Sequence, residues 1–328
     1  MTEVITNSGF FNWMMDMLRS IAGIRTPFLD GVMSGVTWLG QETAFIVIGM
    51  IVLWCVDKKY GYRFLYMFMS GLFINQLLKA IFMIPRPWVI DPEFRIVESA
   101  REGASGWSFP SGHTQSAVLL YGGLAQRIKK AWAYIVAAVL VLLVGFSRMY
   151  LGVHTLLDVG VSLFTGVLVI ALCELYFNRF GDDAGPYTIA TGVASALSLG
   201  LIVYIMLTRD PASDDVGTVK NACVLFGSSF GLFAGGYIEK RFVKFETKAV
   251  WWMQIIKVAL GFAIVMGLRI GLKPLLALIS SSPLTDCVRY FVMIFVGLAV
   301  YPLLFRVFSG THRKKPEQVV WEKETPAE

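Results

Sequence analysis

Charge is scarce in this chain. Only 16% of its 328 residues are Asp, Glu, Lys or Arg, where about 25% is usual in soluble domains. Hydrophobic residues reach 56% and the mean hydropathy is +0.63, which excludes an ordinary soluble globule of this size. Histidine is scarcer, with three in the whole chain. The four cysteines, Cys55, Cys173, Cys223 and Cys287, lie scattered in or beside apolar runs without metal-ligand spacing. Free thiols are therefore expected, and no thiolate metal site. Residues 1–24 lack a basic segment followed by an uninterrupted apolar stretch, so no cleavable signal peptide is expected there. There is no convincing internal repeat and no low-complexity linker. The net charge of +6 does not point to a nucleic-acid partner, because the basic residues fall in short loops between apolar runs.

What is abundant is apolar sequence in runs close to bilayer length. Spans are expected at roughly 43–56, 64–84, 113–127, 131–147, 154–177, 187–207, 219–238, 250–271 and 286–306. The chain reads as an all-α polytopic membrane protein with the lipid bilayer as its solvent. Residues 9–22, with Phe10, Phe11 and Trp13, suggest a helix lying in the interface. Pro27 opens and Gly40 closes a second short helix, and the sequence leaves open whether either one crosses the membrane. With these spans, Lys58, Lys59, Arg63, Arg127, Lys129, Lys130, Arg179, Lys240, Arg241, Lys244, Lys248 and the basic tail share one face. The positive-inside rule makes that face cytoplasmic. The loops 85–112, 147–153, 208–218 and the one near Lys273–Ser282 then face outward.

Three outward-facing stretches carry reactive residues. In Ser147–Asp158, Ser147, Arg148, His154 and Asp158 stand between two apolar runs. His154 and Asp158 are four apart, so on a helix they share a face. The carboxylate can then hold one imidazole nitrogen and leave the other as base or nucleophile. Alone, such a pair is commonly an ordinary surface contact. Its place at the end of an apolar segment, where polar groups are costly, argues for function. Arg148 lies just before the expected helix and offers a planar guanidinium suited to phosphate. Lys79 sits near the outer end of a span, and Arg86 stands between Pro85 and Pro87; a snorkelling Lys and an interfacial Arg is the alternative reading. Pro110-Ser111-Gly112-His113 opens the next span, preceded by Gly-Trp-Ser-Phe. A free helix N-terminus with Ser and Gly makes an anion cradle, although Ser111 alone would read as an N-cap.

Lys79–Arg86–Pro87 has the spacing K-x6-R-P, Pro110–His113 is P-S-G-H, and Ser147–Asp158 is S-R-x5-H-x3-D. In this pattern the chain resembles the type 2 phosphatidic acid phosphatase superfamily. The resemblance covers about residues 25–178 and implies a six-helix core with about four additional C-terminal transmembrane helices. The implied organisation is an interfacial segment 1–24, a core 25–178, a transmembrane extension 187–306 and a polar tail 308–328. Gly235-Gly236-Tyr-Ile-Glu-Lys-Arg resembles extensions of some bacterial members, with no chemistry assigned. The resemblance implies that His154 attacks phosphorus to form a phosphohistidine and that Asp158 orients it. It implies that His113 protonates the leaving oxygen and then activates water. Lys79, Arg86 and Arg148 would hold the nonbridging oxygens, with Ser111 and the Gly112 amide adding hydrogen bonds. No cofactor and no metal are expected, since three cations take the place of magnesium and no carboxylate cluster lies among the motifs.

The expected function is an integral-membrane lipid phosphate phosphatase acting on a phosphomonoester or pyrophosphate of a membrane lipid. Trp88 and Trp107 flank the motifs and suit a headgroup interface. A phosphotransferase passing the phosphoryl group to another lipid or sugar would use the same motifs. A non-catalytic transporter is disfavoured because both motif histidines are present, and a soluble haloperoxidase because of the apolar spans. The loops point to a bacterial plasma membrane, with the site on the extracytoplasmic side. A homo-oligomer is compatible with this architecture.

Overall fold

The computed structural model describes residues 8–101, 103–208 and 216–305. Arg209, Asp210, Asp214 and Asp215 of the expected acidic loop, and the tail from residue 308, fall outside them. The described residues form helices and no strand.

The first helix, α1 (Gly9–Ala22), is capped by Ser8, whose Oγ accepts from the Phe11 N–H at 3.2 Å. It buries Phe11, Met14, Met15 and Leu18 against Phe94, while Phe10 and Trp13 stay exposed. Thr26 and Pro27 start α2 (Pro27–Thr37), which a short 3-10 turn, Trp38–Gly40, joins to α3 (Glu42–Ile51) at a bend of 46°. A π turn, Val52–Val56, continues α3. Asp57 caps α4 (Lys58–Phe82) through the Tyr60 N–H at 3.0 Å. A short α5 (Pro87–Ile90) lies in the loop that follows. Next come α6 (Gly112–Ala117) and α7 (Gly123–Ile128), joined by a π turn, then α8 (Ala131–Tyr150) and α9 (Leu156–Phe180).

Four further long helices complete the described chain: α10 (Ala184–Thr208), α11 (Val216–Ile238), α12 (Trp251–Ala277) and α13 (Thr285–Phe295). A π turn extends α11 to Val243 and another prolongs α13. Seven helices among the described residues are long and apolar enough to cross a bilayer, and the bent α2–α3 pair makes an eighth. The protein is thus an all-helical polytopic membrane protein. Helix α12 departs from expectation, because it runs through Lys273 and Pro274 to Ala277 where a loop is expected. A proline deep in an apolar helix removes one hydrogen bond without ending the helix when its neighbours stay in register.

The basic loops meet at one end of the bundle. Arg127 pairs with Asp57 at 2.9 Å, Arg63 with Asp182, and Lys240 donates to the Asp182 carbonyl at 2.8 Å. Glu239, fully buried, binds Lys58, accepts from Tyr62 Oη at 2.7 Å and from the Phe245 N–H at 3.1 Å. The stretch Gly235–Arg241 therefore clamps α11 to α4.

A glycine row gives the extension its close packing. Gly227, Gly231 and Gly235 stand four apart on α11 and face Cys287, Ile294 and Leu298. A Cβ at Gly227 would lie 2.2 Å from the Cys287 carbonyl oxygen. Small residues at this spacing let two helix backbones approach where lipid offers no hydrophobic gain.

Candidate active site

At the opposite end, α4 closes at Met83, in the left-handed region with φ 47°. Pro85 and Pro87 then hold the chain extended around Arg86. Lys79, in the last turn of α4, is 4% exposed and donates to the carbonyls of Trp107 and Ser108. Arg86 ties three segments together. Its Nε donates to the Gly106 carbonyl at 3.1 Å, Nη2 to Ser105 at 3.0 Å and Nη1 to Val153 at 3.0 Å. Nη1 also lies 2.9 Å from His154 Nε2. The half-buried Trp88 ring is 5.8 Å from the Arg86 guanidinium and packs with Tyr150 inside the loop layer.

Arg148 comes from the last turn of α8, inside a helix rather than just before one. It is 1% exposed, and its Nη1 donates to Thr37 Oγ1 at 2.8 Å. Its Nε and Nη2 have no hydrogen-bond partner among the described residues. A buried guanidinium with two idle donors costs several kcal/mol until an anion meets it.

His154 is not on a helix with Asp158, contrary to expectation. It sits two residues before α9, whose N-cap is Thr155. Thr155 and Asp158 form a reciprocal capping box: Asp158 Oδ2 accepts from the Thr155 N–H at 2.8 Å, and Thr155 Oγ1 accepts from the Asp158 N–H at 3.3 Å. The same Oδ2 lies 3.3 Å from His154 Nδ1 and accepts from Ser108 Oγ at 2.6 Å. With Asp158 accepting at Nδ1 and Arg86 donating at Nε2, the ring is held as the Nδ1–H tautomer. His154 lies in the connection between α8 and α9, and burial pushes its pKa well below the ordinary imidazole range. The Arg86, Arg148 and Lys79 cations add to the shift.

Gly112 and His113 open α6, and both line the same cavity as Lys79, Arg86, Arg148 and His154. A Cβ at Gly112 would meet nothing nearer than Asn75 Oδ1 at 3.9 Å, so its cavity side is open. Ser111 is turned away. Its Oγ lies 2.9 Å from Thr114 Oγ1 and caps α6, and the residue does not line the cavity. Ser147 is likewise remote in role, its hydroxyl donating to the Val144 carbonyl at 2.7 Å.

Sequence reasoning passed over Ser108 and Thr37. Ser108 lies in the Gly-Trp-Ser-Phe stretch beside the P-S-G-H motif, a signal that was present. Nothing in the sequence near Thr37 marks it as a partner for a residue 111 positions away. The extension also reaches the site: a Cβ at Gly217, at the start of α11, would lie 2.9 Å from the Gly106 nitrogen, so α11 braces the loop that holds Arg86.

Among known proteins, the family model described as the PAP2 superfamily matches residues 60–182. Phosphatidylglycerophosphatase B of Bacillus subtilis (strain 168) is 31% identical over 46% of this chain and 76% of that protein. The chain belongs to the PAP2 superfamily. A second family model, the PAP2 superfamily phosphatase transmembrane extension, matches residues 223–313. PAP2 phosphatases are hydrolases of phosphate esters, and this is an integral-membrane member. Undecaprenyl-diphosphatase BcrC of Bacillus subtilis (strain 168) is 32% identical over 36% of this chain and 56% of that protein. Sphingosine-1-phosphate phosphatase 1 of Mus musculus is 23% identical over 83% of this chain and 70% of that protein.

Proposed function

We propose that this PAP2 protein hydrolyses a phosphomonoester or diphosphate of a membrane lipid through a phosphohistidine, without a metal. The carrying observation is the pair of idle donors on buried Arg148, beside a neutral His154 anchored by Asp158. A phosphoryl group entering the cavity accepts from Arg148 Nε and Nη2 and from the Gly112 amide. Arg86 Nη1 exchanges His154 Nε2 for a nonbridging oxygen, which frees the nucleophile. The Nε2 lone pair attacks phosphorus as the ester P–O bond breaks. His113 gives its proton to the leaving oxygen, and Asp158 stabilises the charged ring through Nδ1–H. In the second half, His113 takes a proton from water, the oxygen attacks phosphorus and the P–N bond breaks. Positioning and charge neutralisation supply most of the catalysis in phosphoryl transfer.

The substrate class follows from the site's place at the helix ends, where a lipid headgroup lies while its chains stay apolar. The relatives act, by their names, on phosphatidylglycerophosphate, undecaprenyl diphosphate and sphingosine 1-phosphate. Purified protein in mixed micelles should release inorganic phosphate from members of such a panel. The release should survive EDTA and be inhibited by vanadate. Loss on chelation with recovery on added magnesium would contradict the three-cation site.

Sidedness follows from charge. The basic loops lie at the end away from the site, and cytoplasmic loops retain such residues. The site then opens outside the cytoplasm of a bacterial plasma membrane. In a background lacking the four native cysteines, a cysteine at exposed Ser105 should react with an impermeant maleimide on intact cells, and one at exposed Lys59 should not. The reverse pattern would invert the topology.

A further inference from the structure

The cavity does not end at the phosphate-binding side chains. It has a volume of about 850 Å³, near the top of the range of small-molecule sites, about 300–1,000 Å³. A phosphoryl group fills only a small part of that. The charged groups on its wall, Lys79, Arg86, Arg148, Glu42 and Arg269, belong to the site end: Gly40, two residues before Glu42, abuts the His113 carbonyl, and Arg269 pairs with Glu42 at 3.3 Å. Away from them the wall turns apolar. The core contributes Met50, Leu53 and Phe68. Trp54 lies at the far limit, wedged over Gly261, where a Cβ would be 2.3 Å from the indole. From Glu42 to Trp54 the chamber follows α3 for ~18 Å at 1.5 Å per residue. One leaflet of the bilayer's apolar core is about 15 Å deep.

The wall opposite the core comes from the C-terminal extension. Leu225 and Leu232 of α11, Val265 of α12, and Met293, Gly297 and Leu298 around the end of α13 all line the chamber. We infer that the hydrocarbon chain of the substrate lies inside this chamber, between core and extension, and that the extension helices set which chain lengths are accepted. This rests on the phosphatase reading of the site for the identity of the headgroup. Continuity decides the occupant: one unbroken cavity carries cations at one end and aliphatic side chains at the other, the polarity of a lipid phosphate. Water is a poor occupant of the lower part, which offers it few polar partners. Helix α12 is suited to be a lateral wall, since it buries Lys257, Gly261 and Val265 while Ile255, Ile256, Leu260, Ile270 and Leu275 stay exposed.

Gly297 offers a way to fill the chamber without moving backbone. A Cβ there would meet only Val265 Cγ2 at 3.7 Å, an ordinary contact. Gly297→Leu and Val265→Phe should each lower kcat/KM on a hexadecyl phosphate at least about tenfold, because each methylene kept out of an apolar site forfeits roughly a factor of four. A short-chain, water-soluble alkyl phosphate should be turned over as by the unaltered protein, which also shows that the variants fold. Equal rates on the long chain, or equal losses on both chains, would overturn the assignment. A second measurement does not depend on turnover. A long-chain alkyl phosphate bearing a diazirine at its chain end should, on illumination of the His154→Ala protein, label peptides containing Leu232, Val265 or Leu298. Labelling confined to exposed residues of α12 such as Ile256 and Leu260 would sink the chamber. Hydrolysis of no phosphate by the unaltered protein, with the internal labelling intact, would instead overturn the phosphatase reading and leave the chain site standing.

Discussion

His154→Ala should abolish steady-state phosphate release, with a loss of about 10⁴-fold or more, as for removal of a nucleophile whose step has no substitute. The neighbouring groups explain the size of the effect. Arg86 and Asp158 engage one ring nitrogen each, at 2.9 Å and 3.3 Å, so the imidazole is held as a neutral ring with its lone pair on Nε2. Among the described residues His154 alone is anchored in this way. The remaining cations would still bind phosphate, so the variant should retain affinity for vanadate or a lipid phosphate while losing turnover. Brief reaction of the unaltered protein with radiolabelled substrate, quenched in base, should trap a base-stable, acid-labile phosphoprotein that the variant does not form. Turnover by His154→Ala well above background, or a trapped label unaffected by the substitution, would sink the covalent route.

Much of this site was open to sequence reasoning because its chemistry needs particular side chains. Two histidines, an aspartate and three cations at helix ends are costly in an apolar chain, and that cost marks them. Seven of the nine expected spans were legible for the same reason, since bilayer length and loop charge constrain them together; 43–56 is half of the bent α2–α3 pair, and 113–127, broken by a π turn between α6 and α7, is not among the helices long enough to cross. Local geometry was less legible. Four-residue spacing suggested one helical face for His154 and Asp158, but Thr155 makes the stronger local bond as an N-cap, and the helix begins beyond His154. Capping also claims the Ser111 hydroxyl, the bland alternative that its position always allowed. The tertiary partners had no periodic signature. Thr37 meets Arg148 because a bend between α2 and α3 brings it there. That the extension shares the cavity depends on α11 packing by its glycine row, and a glycine row does not name the helix it will receive.

The acid should separate from the nucleophile in its dependence on leaving group. His113 opens α6 with its backbone fixed: Gly40 lies so close to the His113 carbonyl that a Cβ there would approach within 2.7 Å. It lines the cavity together with Lys79, Arg86, Arg148 and His154. This leaves it able to meet a substrate oxygen, where His154 is already held from both sides. Loss of a general acid typically costs about 10²–10⁴-fold, and the loss depends on how much the departing oxygen needs a proton. His113→Ala should therefore lower turnover of an alkyl or acyl-glycerol phosphate by roughly that factor. With a nitrophenyl phosphate, whose phenolate departs without protonation, the first step should be far less affected. Formation of the phosphohistidine, which releases nitrophenolate in a single-turnover burst, should then persist while its hydrolysis slows, because in the proposed route the same ring activates the water. The accumulated phosphoprotein gives a readout that a general loss of structure does not mimic. Equal losses in the burst for good and poor leaving groups would remove His113 from the proton's path and reduce it to a binding residue.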